Sequence, residues 1–331
     1  MICVDNQPLS VVENKGFRKL IAFLEPRYSM VSRKFLANTL IPEMYQTTCE
    51  KVKGLLVQTE YISLTLDMWT SSAKDDFMGI TAHFIDSEYE ACHVALEVRP
   101  FLEVSHNAEN IIHFILELCE SWNIEDRIFV IVRDNARNIT AALNSSTYQH
   151  LPCLAHTLQL VIHDAVLKSA SLSNIFSVCR WVVGHYKHST AATKVLKKAQ
   201  ATLGVKQHRL VQDETTRWNS SLHMIQRLLE QKQAVTLASS QLAGVNEELT
   251  STQWELLKNI AEVLEIFNQA TLVLSSSSVT ISEVIPIVNS IIKHLEDLNL
   301  PGLTGVRNDL LASLKLRFKE METRKVSELY N

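Results

Sequence analysis

The chain has 331 residues, of which 46% are hydrophobic and 21% charged, with a net charge of −4 at neutral pH. Such a composition indicates a globular protein of two or three domains with sizeable cores. No apolar run reaches the length of a membrane span, and Met1–Gln7 lacks the basic and apolar regions of a secretory signal. The six cysteines are scattered without a CxxC pair, which favours a reducing compartment and a role as small core residues.

The first predicted elements are helices. Apolar residues repeat at helical spacing from Phe17 to Leu24, and Pro26 ends this helix. Pro42 is suited to the start of a second helix that includes residues 44–56. The pattern therefore predicts a short helical segment over residues 1–57.

Three successive strands are predicted after this segment. They are rich in β-branched and aromatic residues, and Asp86-Ser87-Glu88 is a suitable hairpin turn between the last two. The predicted strands are Tyr61 to Leu66, Phe77 to Ile85 and Ala91 to Val98.

A helix, a buried strand and another helix are predicted next. Ser105 is the expected cap of a helix with an apolar face from Ile111 to Trp122. Ile128 to Val132 is almost wholly apolar, as expected of a buried strand, and residues 135–143 should form the following helix. With the three earlier strands, this order indicates an α/β or α+β layer fold.

The rest of the chain shows only helical patterns. Pro286 lies inside one of them, so that helix should start late or kink. The predicted helices are 154–165, 174–187, 190–201, 220–242, 252–274, 281–298 and 304–330.

Two aspartates follow apolar, strand-like runs. Asp67 comes after Leu64-Thr65-Leu66, and Asp134 comes after Ile131-Val132-Arg133. Carboxylates at the ends of neighbouring strands can share a divalent metal ion such as Mg²⁺ or Mn²⁺, as in nucleases. The alternatives are a solvated turn for Asp67 and a helix N-cap for Asp134.

Cys153 and His156 are spaced so that both can project from one face of a helix start. They could form half of a zinc site, but a tetrahedral site needs further ligands, and no second Cys/His pair stands at a suitable distance. The favoured interpretation is a buried cysteine beside a hydrogen-bonded histidine.

A basic segment runs from Arg180 to Arg227. It contains nine Lys and Arg residues and only two acidic residues, Asp213 and Glu214. It could be a phosphate-binding surface that includes Lys194, Lys197 and Lys198, or a solvated helical face. Arg217-Trp218 could hold a phosphate and stack on an unpaired base. The alternative for Trp218 is a core position at a helix start.

Several of these segments also carry a family resemblance. They occur in the family's order and cover nearly the whole chain. The sequence resembles the transposases of the hAT superfamily, and more closely the domesticated zinc-finger BED domain-containing proteins. The matching segments are Asp5–Asn14 with Gly16-Phe17, Pro26–Tyr28, Ser32-Arg33, Leu66–Thr70, Asp134–Ala136 with Asn138, Cys153–Leu160 and Thr216–Ser220.

The resemblance implies an RNase H-like mixed sheet interrupted by a large helical insertion. Residues 58–170 would be the first part of the core, and residues 171–331 the insertion. Asp67 and Asp134 would match two acids of the metal-binding triad. Cys153 and His156 match the family's CxxH motif. Arg217-Trp218 matches its RW motif, whose tryptophan is associated with a flipped base.

The sequence also departs from the family. The third acid, a glutamate in a Ser-Glu-Arg-like stretch, is not found before Asn331, and neither are the BED finger and the C-terminal dimerisation segment. Arg133 stands where relatives usually have a small polar residue, beside the expected metal site. From these departures, the chain alone is not expected to cleave DNA.

The resulting expectation is a domesticated, nuclear, DNA-associated protein with a role related to transcription. It requires no cofactor, would use zinc only if a longer form carries a BED finger, has no membrane partner, and would form homo-oligomers only weakly. The alternatives are an incomplete chain of an active two-metal transposase and a protein-interaction scaffold.

Overall fold

The computed structural model describes residues 1–103, 105–215, 217–242, 249–276 and 280–323. The chain forms two compact units, residues 1–151 and 152–331, and each is considered by itself. The predicted division at residues 57 and 170 is a different partition of the chain and stays a prediction.

The N-terminal segment is helical, as predicted. Pro42 lies in the first turn of its longest helix, where a missing N–H costs nothing. The shorter helix from Lys15 to Leu24 buries none of its residues. The elements are a 3₁₀ turn at Leu9–Glu13, α1 at Lys15–Leu24, α2 at Arg33–Phe35, a π-helical turn at Leu36–Leu40 and α3 at Ile41–Val57.

A mixed five-stranded sheet is the centre of the first unit. Its spatial order is β3-β2-β1-β4-β5. The β1/β2 and β2/β3 pairs are antiparallel, whereas β1 and β4 are parallel. The strands are β1 at Ile62–Thr70, β2 at Asp76–Ile85, β3 at Ala91–Pro100, β4 at Ile128–Arg133 and β5 at His150–Pro152.

Strand β1 continues beyond its predicted end at Leu66. The prediction was wrong there because β2 keeps pairing with β1 as far as Thr70 and Asp76. The hairpin then closes through a main-chain hydrogen bond from Ser71 to Asp75. Asp67 therefore lies inside β1 rather than at its end.

Two helices cover one face of this sheet. They are α4 at Ala108–Trp122 and α5 at Arg137–Asn144. Alternate residues of β1, such as Ile62 and Leu64, are fully buried in the same core as Ile115 of α4, as expected of a strand with one covered face.

The cap of α4 differs from the prediction. Asn107, not Ser105, accepts a hydrogen bond from the Asn110 N–H at 2.8 Å, while the Ser105 carbonyl accepts one from the Asn110 side chain. Both residue types cap helices well, so local sequence did not decide between them.

The second unit is entirely helical. The predicted helix 220–242 is broken at Gln231, whose buried side chain bonds to Gln200 and to the Lys206 carbonyl. The part of the last predicted helix beyond Thr323 lies outside the described residues. The elements are α6 at Leu154–Ile162, a π-helical turn at His163–Leu167, α7 at Ala170–His188, α8 at Thr190–Leu203, α9 at Trp218–Glu230, α10 at Lys232–Ser239, α11 at Ser251–Leu274, a 3₁₀ turn at Ile281–Glu283, α12 at Val284–Asp297 and α13 at Thr304–Thr323.

Each unit has its own apolar core, and each core contains a fully buried cysteine. Burial raises the pKa of the Cys119 and Cys179 thiols to about 12, so both stay protonated and act as small core residues. Within the part of the chain that the structure describes, no helix combines the length and hydropathy needed to cross a bilayer.

Candidate functional site

The two predicted metal-binding aspartates lie towards the C-terminal ends of neighbouring parallel strands. The last parallel pair between β1 and β4 is Thr65 with Val132. Asp67 lies two residues beyond Thr65, still inside β1, and extends from the same face as Thr65. Asp134 lies two residues beyond Val132, just after β4 ends at Arg133. If the register continued past its last pair, the two aspartates would be neighbours at this edge of the sheet.

The surroundings of the two carboxylates differ. Asp67 is exposed and lies opposite Gly79 of β2. Asp134 is half-buried, and its Oδ1 accepts a hydrogen bond from the Ala136 N–H at 3.0 Å. Because the N-cap of α5 is Ala136, Asp134 shapes the turn before this helix instead of capping it as the alternative expected.

A guanidinium also lies at this edge. Arg133 is buried, and its Nη1 donates a hydrogen bond to the main-chain oxygen of Asp134 at 2.7 Å. The cation expected beside the aspartate is therefore held against the turn that carries it.

The oxygen donors of Asp67 and Asp134 fit a hard divalent ion. Mg²⁺ commonly takes one or two protein carboxylates and fills its other positions with water and substrate phosphates. Among the described residues, no group of three or more His, Cys, Asp and Glu side chains is suited to a metal ion. When bound, an ion at this pair would activate water or stabilise a leaving oxygen on a phosphate.

An exposed tryptophan lies beside this pair. Trp69 is two residues after Asp67 in β1, so strand alternation puts both on one face. Its ring is 39% exposed and stacks on Phe77 with 5.8 Å between centroids. The indole lies over Gly79, where a Cβ would come within 3.0 Å of it. No role was predicted for Trp69 from the sequence, although its spacing of two residues from Asp67 is a signal for one.

Cys153 and His156 lie at the start of α6. Cys153 is the N-cap residue, and its carbonyl accepts bonds from the N–H and the hydroxyl of Thr157, both at 2.9 Å. Both residues are half-buried, so Cys153 is more exposed than the buried cysteine of the favoured interpretation. The zinc alternative finds no further ligands among the residues that the structure describes.

Trp218 lies in the core of the second unit. It begins α9, is 1% exposed, and belongs to the same apolar cluster as Leu222 and Ile225. In this position the indole has no face open to a base, because packing of the amphipathic α9 turns it inward. Its neighbour Arg217 is exposed, and Thr216 lies outside the described residues.

The loop before Trp218 is held by a buried ion pair. Arg180 of α7 donates to both carboxylate oxygens of Asp213, and the Ser221 hydroxyl of α9 donates to the same group at 2.9 Å. Burial alone would raise the pKa of Asp213, but the hydrogen bonds from Arg180 and Ser221 outweigh burial and hold it below its ordinary value. Asp213 therefore neutralises one cation of the basic segment, Arg180.

Four other cations of the basic segment line one cleft of about 400 Å³. Its apolar lining is Tyr186, Leu196 and Leu210. The cations are Lys187, Lys194, Lys197 and Arg209, all exposed. Of the predicted nucleic-acid contacts, Lys194 and Lys197 thus come together, whereas Lys198 and Arg217 are not among the lining residues.

Two family models match adjacent parts of the chain. Residues 65–155 match the ZBED1 RNase-like domain, and residues 151–263 match the ZBED1 RNase-like helical domain. The first range contains β1 to β5 from Thr65 onward, and the second contains the helices that carry the basic cleft. The expected RNase H-like α/β fold with a helical domain is confirmed.

Curated proteins of the same kind are similar along most of the chain. Zinc finger BED domain-containing protein 4 of Homo sapiens is 28% identical over 89% of this chain and 26% of its own length. Zinc finger BED domain-containing protein 6 of Homo sapiens is 27% identical over 96% and 34%. The putative AC transposase of Zea mays is 27% identical over 71% and 30%. The chain thus spans about a quarter to a third of the length of these relatives.

Proposed function

The chain is a hAT-transposase-derived protein of the BED-protein-like type, and from this premise we propose that it binds DNA through the basic cleft of its helical unit. The cleft is the observation that carries the proposal. It gathers Lys187, Lys194, Lys197 and Arg209 in a chain whose net charge is negative. Like charges are kept together in this way where an anionic partner offsets their repulsion.

The charge of the cleft is not neutralised from within. Arg180 is paired with Asp213, and Arg227 is paired with Glu230 at 2.7 Å. None of the four cleft cations has an ion pair among the described residues, and none of the lining residues is acidic. The lysine and arginine side chains of the cleft are therefore free to neutralise phosphates of DNA, which releases the counterions condensed there.

Lys198 and Arg217 would extend this surface. Both are exposed, and Lys198 follows the cleft residue Lys197 on α8. A long duplex reaches beyond a single cleft, so these two residues would add phosphate contacts without belonging to the lining. With the transposase-derived origin, this supports a nuclear protein with a role related to transcription. One relative, from Talaromyces stipitatus, is named "Putative transcriptional regulator tpeD".

A second candidate function is cleavage and transfer of DNA ends. Continuation of the β1/β4 register, which would bring Asp67 beside Asp134, favours it, and Trp69 offers an exposed ring on the face of Asp67 for an unpaired base. We propose that this chain alone does not cleave, because two-metal chemistry draws on more carboxylates than these two. Nicking of DNA by the purified chain with Mn²⁺, lost in Asp134→Ala, would contradict this proposal.

A protein-interaction scaffold is the third candidate. The buried position of Trp218 favours it, since this tryptophan then serves packing alone. Oligomer formation also stays a proposal, and sedimentation of the purified chain measures it directly.

The test of DNA binding is fluorescence anisotropy of a labelled duplex titrated with the purified chain at increasing salt. We expect the logarithm of the affinity to fall linearly with the logarithm of the salt concentration, because each neutralised phosphate releases counterions. Lys187→Gln with Arg209→Gln serves as the variant and Lys34→Gln, on α2, as the matched control. A folded chain that shows no binding at low salt would overturn the proposal and leave the scaffold function.

A further inference from the structure

The cleft between α7 and α8 has the shape of a pocket and not of a flat basic surface. Lys187 comes from the last turn of α7, and Lys194 and Lys197 lie one turn apart on α8. Arg209 approaches from the loop after α8. Cations from three successive elements therefore converge on one volume of about 400 Å³.

The backbone around the cleft is held in place. The Thr193 hydroxyl donates to the carbonyls of Tyr186 and Ser189, which ties the first turn of α8 to the end of α7. The Arg209 carbonyl accepts a bond from Arg227 Nη1 at 2.7 Å. The positions from which the cations extend are thus fixed before any ligand arrives, which reduces the entropy lost on binding.

Three further observations bear on the ligand of the cleft. The hydroxyl-bearing Thr190 lines it at the first position of α8, where a helix directs N–H groups and positive potential outward. The Tyr186 hydroxyl bonds to Ser239 at 3.2 Å, so its ring forms part of the apolar lining. Four cations exceed what a single phosphate can neutralise, since one phosphate ester carries at most two negative charges.

We propose that this cleft is a site for two or more closely spaced phosphate groups. The proposal deepens the proposed function and rests on it in one respect, because consecutive phosphates of a nucleic acid backbone are one source of such groups. A small linear polyphosphate is the other source. Both present the same chemistry to Lys187, Lys194, Lys197 and Arg209.

The loop after α8 supplies a control for this site. Lys206 is exposed like Lys197 and carries the same charge, but only Lys197 lines the cleft. A site built by the cleft distinguishes the two lysines. A diffuse basic field does not, because both contribute to it equally.

The experiment is isothermal titration calorimetry of the full chain with inorganic tripolyphosphate, with orthophosphate as the single-phosphate probe. We expect one tripolyphosphate per chain and much weaker binding of orthophosphate. Lys194→Gln and Lys197→Gln should each weaken tripolyphosphate binding about tenfold through a lost charge-assisted hydrogen bond. Lys206→Gln should leave it unchanged. All three side chains are exposed, and a thermal melt of each variant checks that the fold is kept.

Competition with a labelled duplex separates the two sources. If tripolyphosphate binds at the cleft and displaces the duplex, the backbone of DNA is a ligand of this site. If tripolyphosphate binds while the chain has no affinity for DNA, the cleft is a site for small polyphosphates and the proposed function fails. If DNA binds but tripolyphosphate does not, or if Lys206→Gln weakens tripolyphosphate binding as much as Lys197→Gln, the proposal is overturned.

Discussion

Arg180 and Asp213 are joined by three hydrogen bonds between 2.8 and 3.1 Å, and the Asp213 side chain is fully shielded from water. The pair connects α7 to the loop that leads into α9. Ser221 of α9 adds a fourth bond to the same carboxylate. The ion pair therefore helps to hold the start of α9, and with it the buried Trp218, in place.

We expect Arg180→Ala to lower the free energy of unfolding by about 3–5 kcal/mol, because it leaves a buried carboxylate without its partner. Denaturant unfolding of the variant measures this change. Arg227→Ala is the matched control, since its pair with Glu230 is more exposed and should be worth about 1 kcal/mol or less. Equal effects of the two substitutions would contradict the central role of Asp213.

Acid should weaken the same contact. Because the folded-state pKa of Asp213 is held below its unfolded value, the ion pair contributes fully above about pH 4. As the pH falls, the unfolded chain takes up the proton first, and the stabilisation disappears as the pH passes through the folded-state pKa. Urea midpoints measured from neutral pH to about pH 3 should show this fall, and Asp213→Asn should show a smaller one.

Replacing Trp218 and replacing Trp69 should have opposite effects on folding stability and on binding of single-stranded DNA. Trp218→Ala should cost about 3–5 kcal/mol of folding free energy, because the ring is buried among apolar residues. Trp69→Ala should cost clearly less, because this ring is 39% exposed, but it should remove the aromatic face beside Asp67. Thermal melts and binding of single-stranded DNA compare the two. Loss of affinity in Trp218→Ala with an unchanged melt would instead support a base-stacking role for Trp218.

The lack of a side chain at Gly79 leaves room for the Trp69 ring. In Gly79→Ala the new methyl group would come within 3.0 Å of the indole, so the ring must move away. We expect a shift of the tryptophan fluorescence and a loss of about 1 kcal/mol in stability, since the ring lies near the surface and can give way. Gly16→Ala, which meets nothing within 4 Å, is the control for the added methyl group alone.

The lysines of α8 should set the salt dependence of DNA binding. Replacing Lys194, Lys197 and Lys198 with Gln should flatten the slope of log affinity against log salt by about two to three units if all three touch phosphate. The Lys194→Gln, Lys197→Gln double variant should account for about two of these, as both line the cleft. An unchanged slope would remove α8 from the DNA-binding surface.

Much of the sheet follows from local pattern. Enrichment in β-branched and aromatic residues predicted β2 and β3, and a short apolar run predicted β4. The extension of β1 to Thr70 was missed because it depends on the pairing with β2, a contact between residues that are not neighbours in sequence. The short β5 was also missed, because three residues give no periodic signal.

The candidate sites were predictable in composition but not in geometry. The excess of cations between Arg180 and Arg227 is visible in sequence. The sequence does not show that Asp213 neutralises Arg180, or that Lys187 and Arg209 join Lys194 and Lys197. These relationships depend on how α7, α8 and the following loop fold back on one another, and local periodicity carries no information about that.

The mixed pairing of β1 has a consequence for the order of folding. The β1/β2 and β2/β3 hairpins close through turns of a few residues, whereas β4 reaches β1 only after α4 has been accommodated between them. Closing such a long loop has an entropic cost that local hairpins avoid, and non-local parallel pairing is correspondingly slow. We therefore expect Asp67 to reach its native surroundings early and Asp134 to arrive late. A partly folded chain that contains only the hairpins would have Asp67 but not Asp134 in place. Only the completed sheet could therefore retain a divalent ion at this edge.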